Sequence, residues 1–336
     1  MCLEELMIEI SNGELIARID EDLGAELVYL GTQEVNFLAF YDWDSPISAD
    51  KSSPYENALF DFMSKYKGGW QALFPNAGNP ASALGVELPF HGEFCRSKVE
   101  VVEVQRNSVV IKSGARIPLT LTRTYTIPLQ SNVLEIQQLA SNESDLEVPF
   151  IWGEHPAFNL PPGSKIKIPG AGVVVEEANR GEFLDLSDKG IGNWPYVDGA
   201  DGERVDLSVV PNKPTERLCY LTDVSEAWTA MEFNSHLIGM SWDKEAFPHM
   251  WFWQQIGGLS FPWFGRANIT ALEPASTWPS YGLEVAIENK QAFYLRAKES
   301  KSAWITFSFG KDLAKKIDDV TGVNQLGDFS FTKGSN

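Results

Sequence analysis

A chain of 336 residues can bury a sizeable core, and 43% hydrophobic with 12% aromatic residues is a globular composition, which excludes disorder over most of its length. The formal net charge of -19 offers no electrostatic footprint for nucleic acid and repels anionic membrane surfaces. It does not exclude a phosphorylated small molecule, because one local arginine outweighs the average field.

The first residues, MCLEELMIEI, are acidic and lack a basic segment followed by a continuous apolar core, so they do not read as a signal peptide. No uninterrupted apolar run reaches membrane-spanning length. Cys2, Cys95 and Cys219 are scattered and odd in number, and they form neither a disulfide framework nor a Cys-x-x-Cys metal site. The expectation is a soluble cytoplasmic protein with one domain over residues 1–336.

In chain order, Asp42 to Pro54 reads as a loop, and Tyr55 to Tyr66 as a helix with Leu59, Phe62, Met63 and Tyr66 at helical spacing. Val99 to Val104 and Val109 to Lys112 flank Gln105 to Ser108, which predicts a hairpin. Leu119 to Ile127 alternates cleanly, apolar residues and Arg123 on one side, threonines on the other, so it is a half-buried strand. Leu134 to Leu139 is the next strand. Leu283 to Glu288, Ala292 to Ala297 and Trp304 to Phe309, separated by polar turns, read as a meander. Lys311 to Asp319 reads as a short helix, and Thr332 to Asn336 as a frayed end. Many short strands with no alternating helix pattern predict an all-β, large antiparallel sandwich.

Four histidines can be weighed one by one. His155 stands in PFIWGEHPAFNLPP, where an apolar run meets Glu154-His155 and then Pro156. Taken alone, this stretch reads as a strand end with a core histidine; an imidazole there also suits proton transfer near neutrality. Glu154 is its neighbour on a strand and therefore points to the opposite face. His91 precedes Gly92, which permits a sharp turn or a close approach, and Arg96 lies five residues on. His236 reads as structural or surface, and His249 as a packed residue. No pair has zinc-helix spacing and the cysteines add no ligands, so no metal site is expected. Glu273 ends the apolar segment Ile269 to Leu272, where burial raises a carboxyl's pKa and helps a base; a strand-end glutamate capping a turn fits equally. Aromatic runs at Trp251 to Gln255 and Phe261 to Phe264 suit the C–H faces and hydroxyls of a sugar, though a large core also uses such residues.

Four blocks then occur in order along most of the chain: Gly68-Gly69-Trp70-Gln71 through Phe74-Pro75-Asn76; His91-Gly92-Glu93; Trp152-Gly153-Glu154-His155-Pro156-Ala157-Phe158-Asn159; and Leu272-Glu273-Pro274. In these the chain resembles the aldose 1-epimerase (galactose mutarotase-like) family, its aldose 1-epimerase-related branch above all. The resemblance implies a galactose mutarotase-like supersandwich and cofactor-free interconversion of the α and β anomers of an aldose. By the same carry-over Glu273 is the general base at the C1 hydroxyl and His155 the general acid at the ring oxygen. Substrate contacts are expected from His91, Asn76, Arg96, Gln255 (with Gln254 as its rival) and Trp152. Asp223 and Asp243 are candidates for the family's distal-hydroxyl aspartate. Arg96 falls near, but out of register with, an arginine that hexose-6-phosphate mutarotases use. The expected partner is a small sugar, with no nucleic acid or membrane, and the protein a monomer or homodimer. Two other classes compete: a non-catalytic sugar-binding or regulatory protein, and a glycoside hydrolase or lyase using Glu154 as a second acid.

Overall fold

The strand Leu119–Thr126 shows how this sequence makes sheets. Leu119, Leu121, Arg123 and Tyr125 are buried on one face, and the four intervening threonines are half-buried on the other. β-branched residues fit such a pleated, half-covered surface. The computed structural model describes residues 7–41, 58–177, 181–310 and 316–332. Within them two antiparallel sheets dominate, one of twelve strands and one of eight. They pack over a shared core to which Leu27, Trp70, Phe252 and Leu272 come from the larger sheet and Leu121, Tyr125, Ile136 and Phe307 from the smaller.

Six neighbouring strands of the larger sheet position the site: Glu26–Gly31, Trp70–Leu73, Gly153–Phe158, Asn268–Ala275, His249–Ile256 and Thr215–Thr222. Register pairs Leu27 with Trp70, and Gln71 with His155. The pairs Gly153–Ala275 and Ala157–Ala271 bracket His155 opposite Glu273, which in turn pairs with Trp251, and Trp251 with Tyr220. Cross-strand partners share a face. One face of the sheet therefore carries a single row, Glu26, Gln71, His155, Glu273, Trp251 and Tyr220, with strands about 4.8 Å apart.

The opposite face of the same strands turns into the core. There Glu154 accepts hydrogen bonds from Arg123 of the smaller sheet at 3.0 Å and from the Trp70 indole at 2.7 Å. Arg123 and Glu154 are both fully buried. The ion pair thus ties the two sheets together directly behind His155.

Local elements depart from expectation in two places. Leu283–Glu288 is an α-helix, not the first strand of a meander. Leu283, Val285 and Ile287 alternate as a strand would, but Leu283 and Ala286, one helical turn apart, are the pair buried. Phe293–Leu295 pairs with Val148–Phe150 in a separate small ladder, while Ser300–Gly310 joins the eight-stranded sheet. Of Lys311 to Asp319, only Lys316 onward is described, with a three-residue 3-10 turn at Ile317–Asp319. The expected loop Asp42 to Pro54 lies outside the described residues, as do residues 333–336. The expected helix is seen as Ala58–Lys65, and the expected hairpin turns at Arg106-Asn107 between Glu100–Gln105 and Ser108–Gly114.

Candidate active site

His155 and Glu273 occupy the middle of the polar row on adjacent strands. His155 Nε2 lies 3.8 Å from Glu273 Oε1, too long for a direct hydrogen bond and short enough for one small group to touch both. Both side chains are nearly inaccessible, at 6% and 3% exposure. Burial alone pushes the Glu273 carboxyl well above the usual carboxylate range. The same desolvation pushes His155 down to about 4, a backbone hydrogen bond opposing it. Both shifts favour the uncharged pair, carboxylic acid and neutral imidazole, in which the acid holds the proton to be shared. Passing that proton across gives carboxylate and imidazolium at the same net charge. Either arrangement presents one acid and one base side by side.

Aromatic rings close the site. Tyr66, just past the helix Ala58–Lys65, places its hydroxyl 3.5 Å from His155 Nδ1, and its ring packs near Trp253 and Trp263. Ala157, in the next row of the sheet, leaves room for that ring. Burial raises the Tyr66 phenol well above its ordinary value, and Glu273 and Glu26 add to the rise.

His91 comes from the turn that follows the strand Val86–Leu88, with its ring centroid 5.4 Å from that of His155. Its backbone is left-handed, at φ 62°, a conformation that costs a non-glycine residue roughly 1–2 kcal/mol. The Gly78 amide donates to His91 Nδ1 at 3.0 Å, which makes Nδ1 an acceptor and leaves the hydrogen of the neutral ring on Nε2. Burial, then the neighbouring His155 and Arg96, hold His91 well below its ordinary pKa. Gly92 is required here: its φ is +79°, and a Cβ would meet the carbonyl oxygens of Phe74 and Asn76 at 2.5 and 2.6 Å.

The remaining expected residues have varied positions. Asn76 donates to Asn79 O and Pro89 O and accepts from the Leu283 amide, so its side chain braces the His91 loop and is not available to a ligand. Trp152 is buried in the core against Phe74, Phe150 and Phe247, away from the polar row. Gln255 shares the face of Glu273 but lies two pairs along the sheet and donates to Glu216; Trp251 stands directly beside Glu273. Gln254 faces the core and accepts from Arg217. Arg96 borders the site, with Nη1 on Asp61 and its Nε and Nη2 without a partner. Asp243 accepts from the amides of its own turn at Glu245 and Ala246, and Asp223 is in a left-handed turn whose amide donates to His249. Glu154, the second acid of the hydrolase reading, is bound to Arg123 on the wrong face. Tyr66 and Gln71 join the site without having been singled out for it in the sequence, and Trp251 belongs to an aromatic run read there as suited to a sugar. Only register and packing place them there, although Gln71 lies inside one of the four sequence blocks.

No family model matches the chain, and no curated protein matches it. Solved structures do. The Slr1438 protein of Synechocystis sp. PCC 6803 is 18% identical, with a TM-score of 0.64 over 92% of this chain and 97% of that one. A galactose mutarotase related enzyme from Lactobacillus acidophilus, 15% identical, gives 0.59 over 91% and 98%. A galactose mutarotase-like protein from Lactobacillus casei, 20% identical, gives 0.56 over 90% and 100%. The chain has the galactose mutarotase-like fold. Within that fold, the row of buried polar groups lies on the outer face of the twelve-stranded sheet, and the sheet-to-sheet ion pair lies on its inner face. Among the described residues no helix is long and apolar enough to cross a membrane, and no group of three or more His, Cys, Asp or Glu is arranged to hold a metal ion.

Proposed function

We propose that the protein is a mutarotase, an isomerase that interconverts the α and β anomers of an aldose by opening and reclosing the ring. The observation that carries this reading is the His155–Glu273 pair, 3.8 Å apart and buried, one group able to give a proton while the other takes one. Anomer exchange needs that inventory. One group takes the proton of the C1 hydroxyl while the other delivers a proton to the ring oxygen, and both oxygens are bonded to C1. In the carboxylate–imidazolium form Glu273 is the base and His155 the acid. The C1–O5 bond breaks, the open aldehyde rotates about C1–C2, and reclosure on the other face runs the same transfers backwards. No net proton is gained or lost, so no cofactor is required by the balance.

His91 would donate its Nε2 hydrogen to the sugar, and the rings of Trp251 and Trp253 offer faces to its C–H groups. Being buried and free, the two described cysteines, Cys95 and Cys219, suit a reducing cytoplasm.

Polarimetry on a panel of aldoses, with the phosphorylated forms included, tests this. At least one freshly dissolved sugar is expected to reach its equilibrium rotation faster with protein than in buffer. A panel in which none does so sinks the proposal. Sugar binding that survives Glu273→Gln, with no exchange by either protein, would instead support a non-catalytic binding protein.

A further inference from the structure

The polar row does not stop at His155. One strand beyond it, on the side away from Glu273, stands Gln71, and one strand beyond that Glu26. They are 5% and 3% exposed. Gln71 hydrogen-bonds the Glu26 carboxyl, yet the Gln71 carbonyl Oε1 has no partner and is sealed from solvent. An orphaned acceptor in that setting is destabilising unless something else satisfies it.

The arrangement is built into the backbone. Gly69, at φ +77°, leaves the space in which Glu26 lies, since a Cβ there would come within 2.5 Å of Glu26 Oε1 and 2.8 Å of Leu27 O. As placed, the carboxyl takes the amide N–H of Gln71, and the Gln71 carbonyl is the end left without a partner. Burial raises Glu26 to about 8, so near neutrality this end of the row carries no full negative charge.

We propose that Gln71, oriented by Glu26, is a further ligand-binding residue that accepts a hydrogen bond from the hydroxyl on the C5 substituent of an unphosphorylated hexose. The inference rests on the mutarotase reading for the direction of the sugar. If Glu273 meets O1 and His155 meets O5, the next place along the row faces C5 and what it carries. A carbonyl there needs a donor. A hydroxyl supplies one, whereas a phosphate dianion supplies only acceptors and negative charge. Glu26 is a positioning residue in this scheme, acting through Gln71.

Sugars that differ only at C5 separate this role from a structural one. D-glucose and D-xylose form one such pair, D-galactose and L-arabinose another. Gln71→Ala is expected to raise KM for the exchanged hexose about tenfold with little change in kcat, and to leave the matching pentose within about twofold. Glu26→Gln should move KM the same way by less. Pentose exchange doubles as the control for folding. Equal effects on both members of a pair, or none on the hexose, would overturn the assignment while leaving the mutarotase reading intact. So would a hexose 6-phosphate that outcompetes the parent hexose. Calorimetric titration of the hexose into Glu273→Gln, with and without Gln71→Ala, reads the same contact without turnover. Weaker binding of the double variant supports Gln71 even if the wild type exchanges nothing, in which case only the mutarotase reading fails. Unchanged binding overturns the Gln71 contact on its own.

Discussion

Glu154 and Glu273 are both buried carboxyls on neighbouring strands of one sheet, and they serve opposite ends. Glu154 faces inward, where Arg123, the Trp70 indole and Gln138 offset the burial that raises its pKa. Glu273 faces outward under a cover of aromatic rings, and burial acts on it unopposed. A carboxyl matched by a guanidinium has part of its burial offset and becomes part of the framework. One matched by an uncharged imidazole keeps its proton mobile. Burial of an acid is therefore no guide to its role until its partner is known.

Breaking each side of this comparison gives different signatures. Glu273→Gln and His155→Ala are each expected to lower anomer exchange by about 10²–10⁴-fold, the usual range for a lost general acid or base, with unfolding temperature little changed. Arg123→Met should do the reverse. It strands a buried carboxylate and is expected to destabilise the protein by about 3–5 kcal/mol in denaturant titrations, while Arg123→Met with Glu154→Leu recovers most of the loss.

Glu26 sharpens the contrast from the acid side. Its folded pKa, about 8, lies above the unfolded value near 4.5, so the folded protein binds more protons between them. The stabilising contribution is complete below pH 4.5 and lost as pH rises through 8. Glu26→Gln should remove that loss, a gain on the order of a few kcal/mol over wild type above pH 8, read as a flatter profile of melting temperature against pH. The smallest effect is expected from Tyr66→Phe, less than about tenfold on exchange, because its hydroxyl reaches His155 Nδ1 only at 3.5 Å.

Period-two alternation made the sandwich legible, since a half-buried strand writes its two faces into adjacent residues. It misread Leu283–Glu288, where the alternating residues are not the buried ones. Strand parity separated Glu154 from His155 in the sequence. By the same parity Trp152, three residues before His155, faces the core as well. His155 and Glu273 could be named together only through the four blocks, because nothing in the sequence itself states that their strands are neighbours. Gln71 and Trp251 enter the site through register, which is a property of strand pairing. Tyr66 was hidden because a tyrosine at helical spacing looks like packing, and its ring does pack; only its hydroxyl approaches the histidine.

His155 and Glu273, 3.8 Å apart, form one proton-sharing pair whose burial favours the uncharged forms. The pH profile of kcat/KM for an exchanged sugar, measured by NMR exchange spectroscopy, reports the ionisations of the free enzyme. A plateau through neutral pH is expected, with an acid limb near 4 where His155 gains its proton. An acid limb near 6.5, the value of an ordinary histidine, would contradict it.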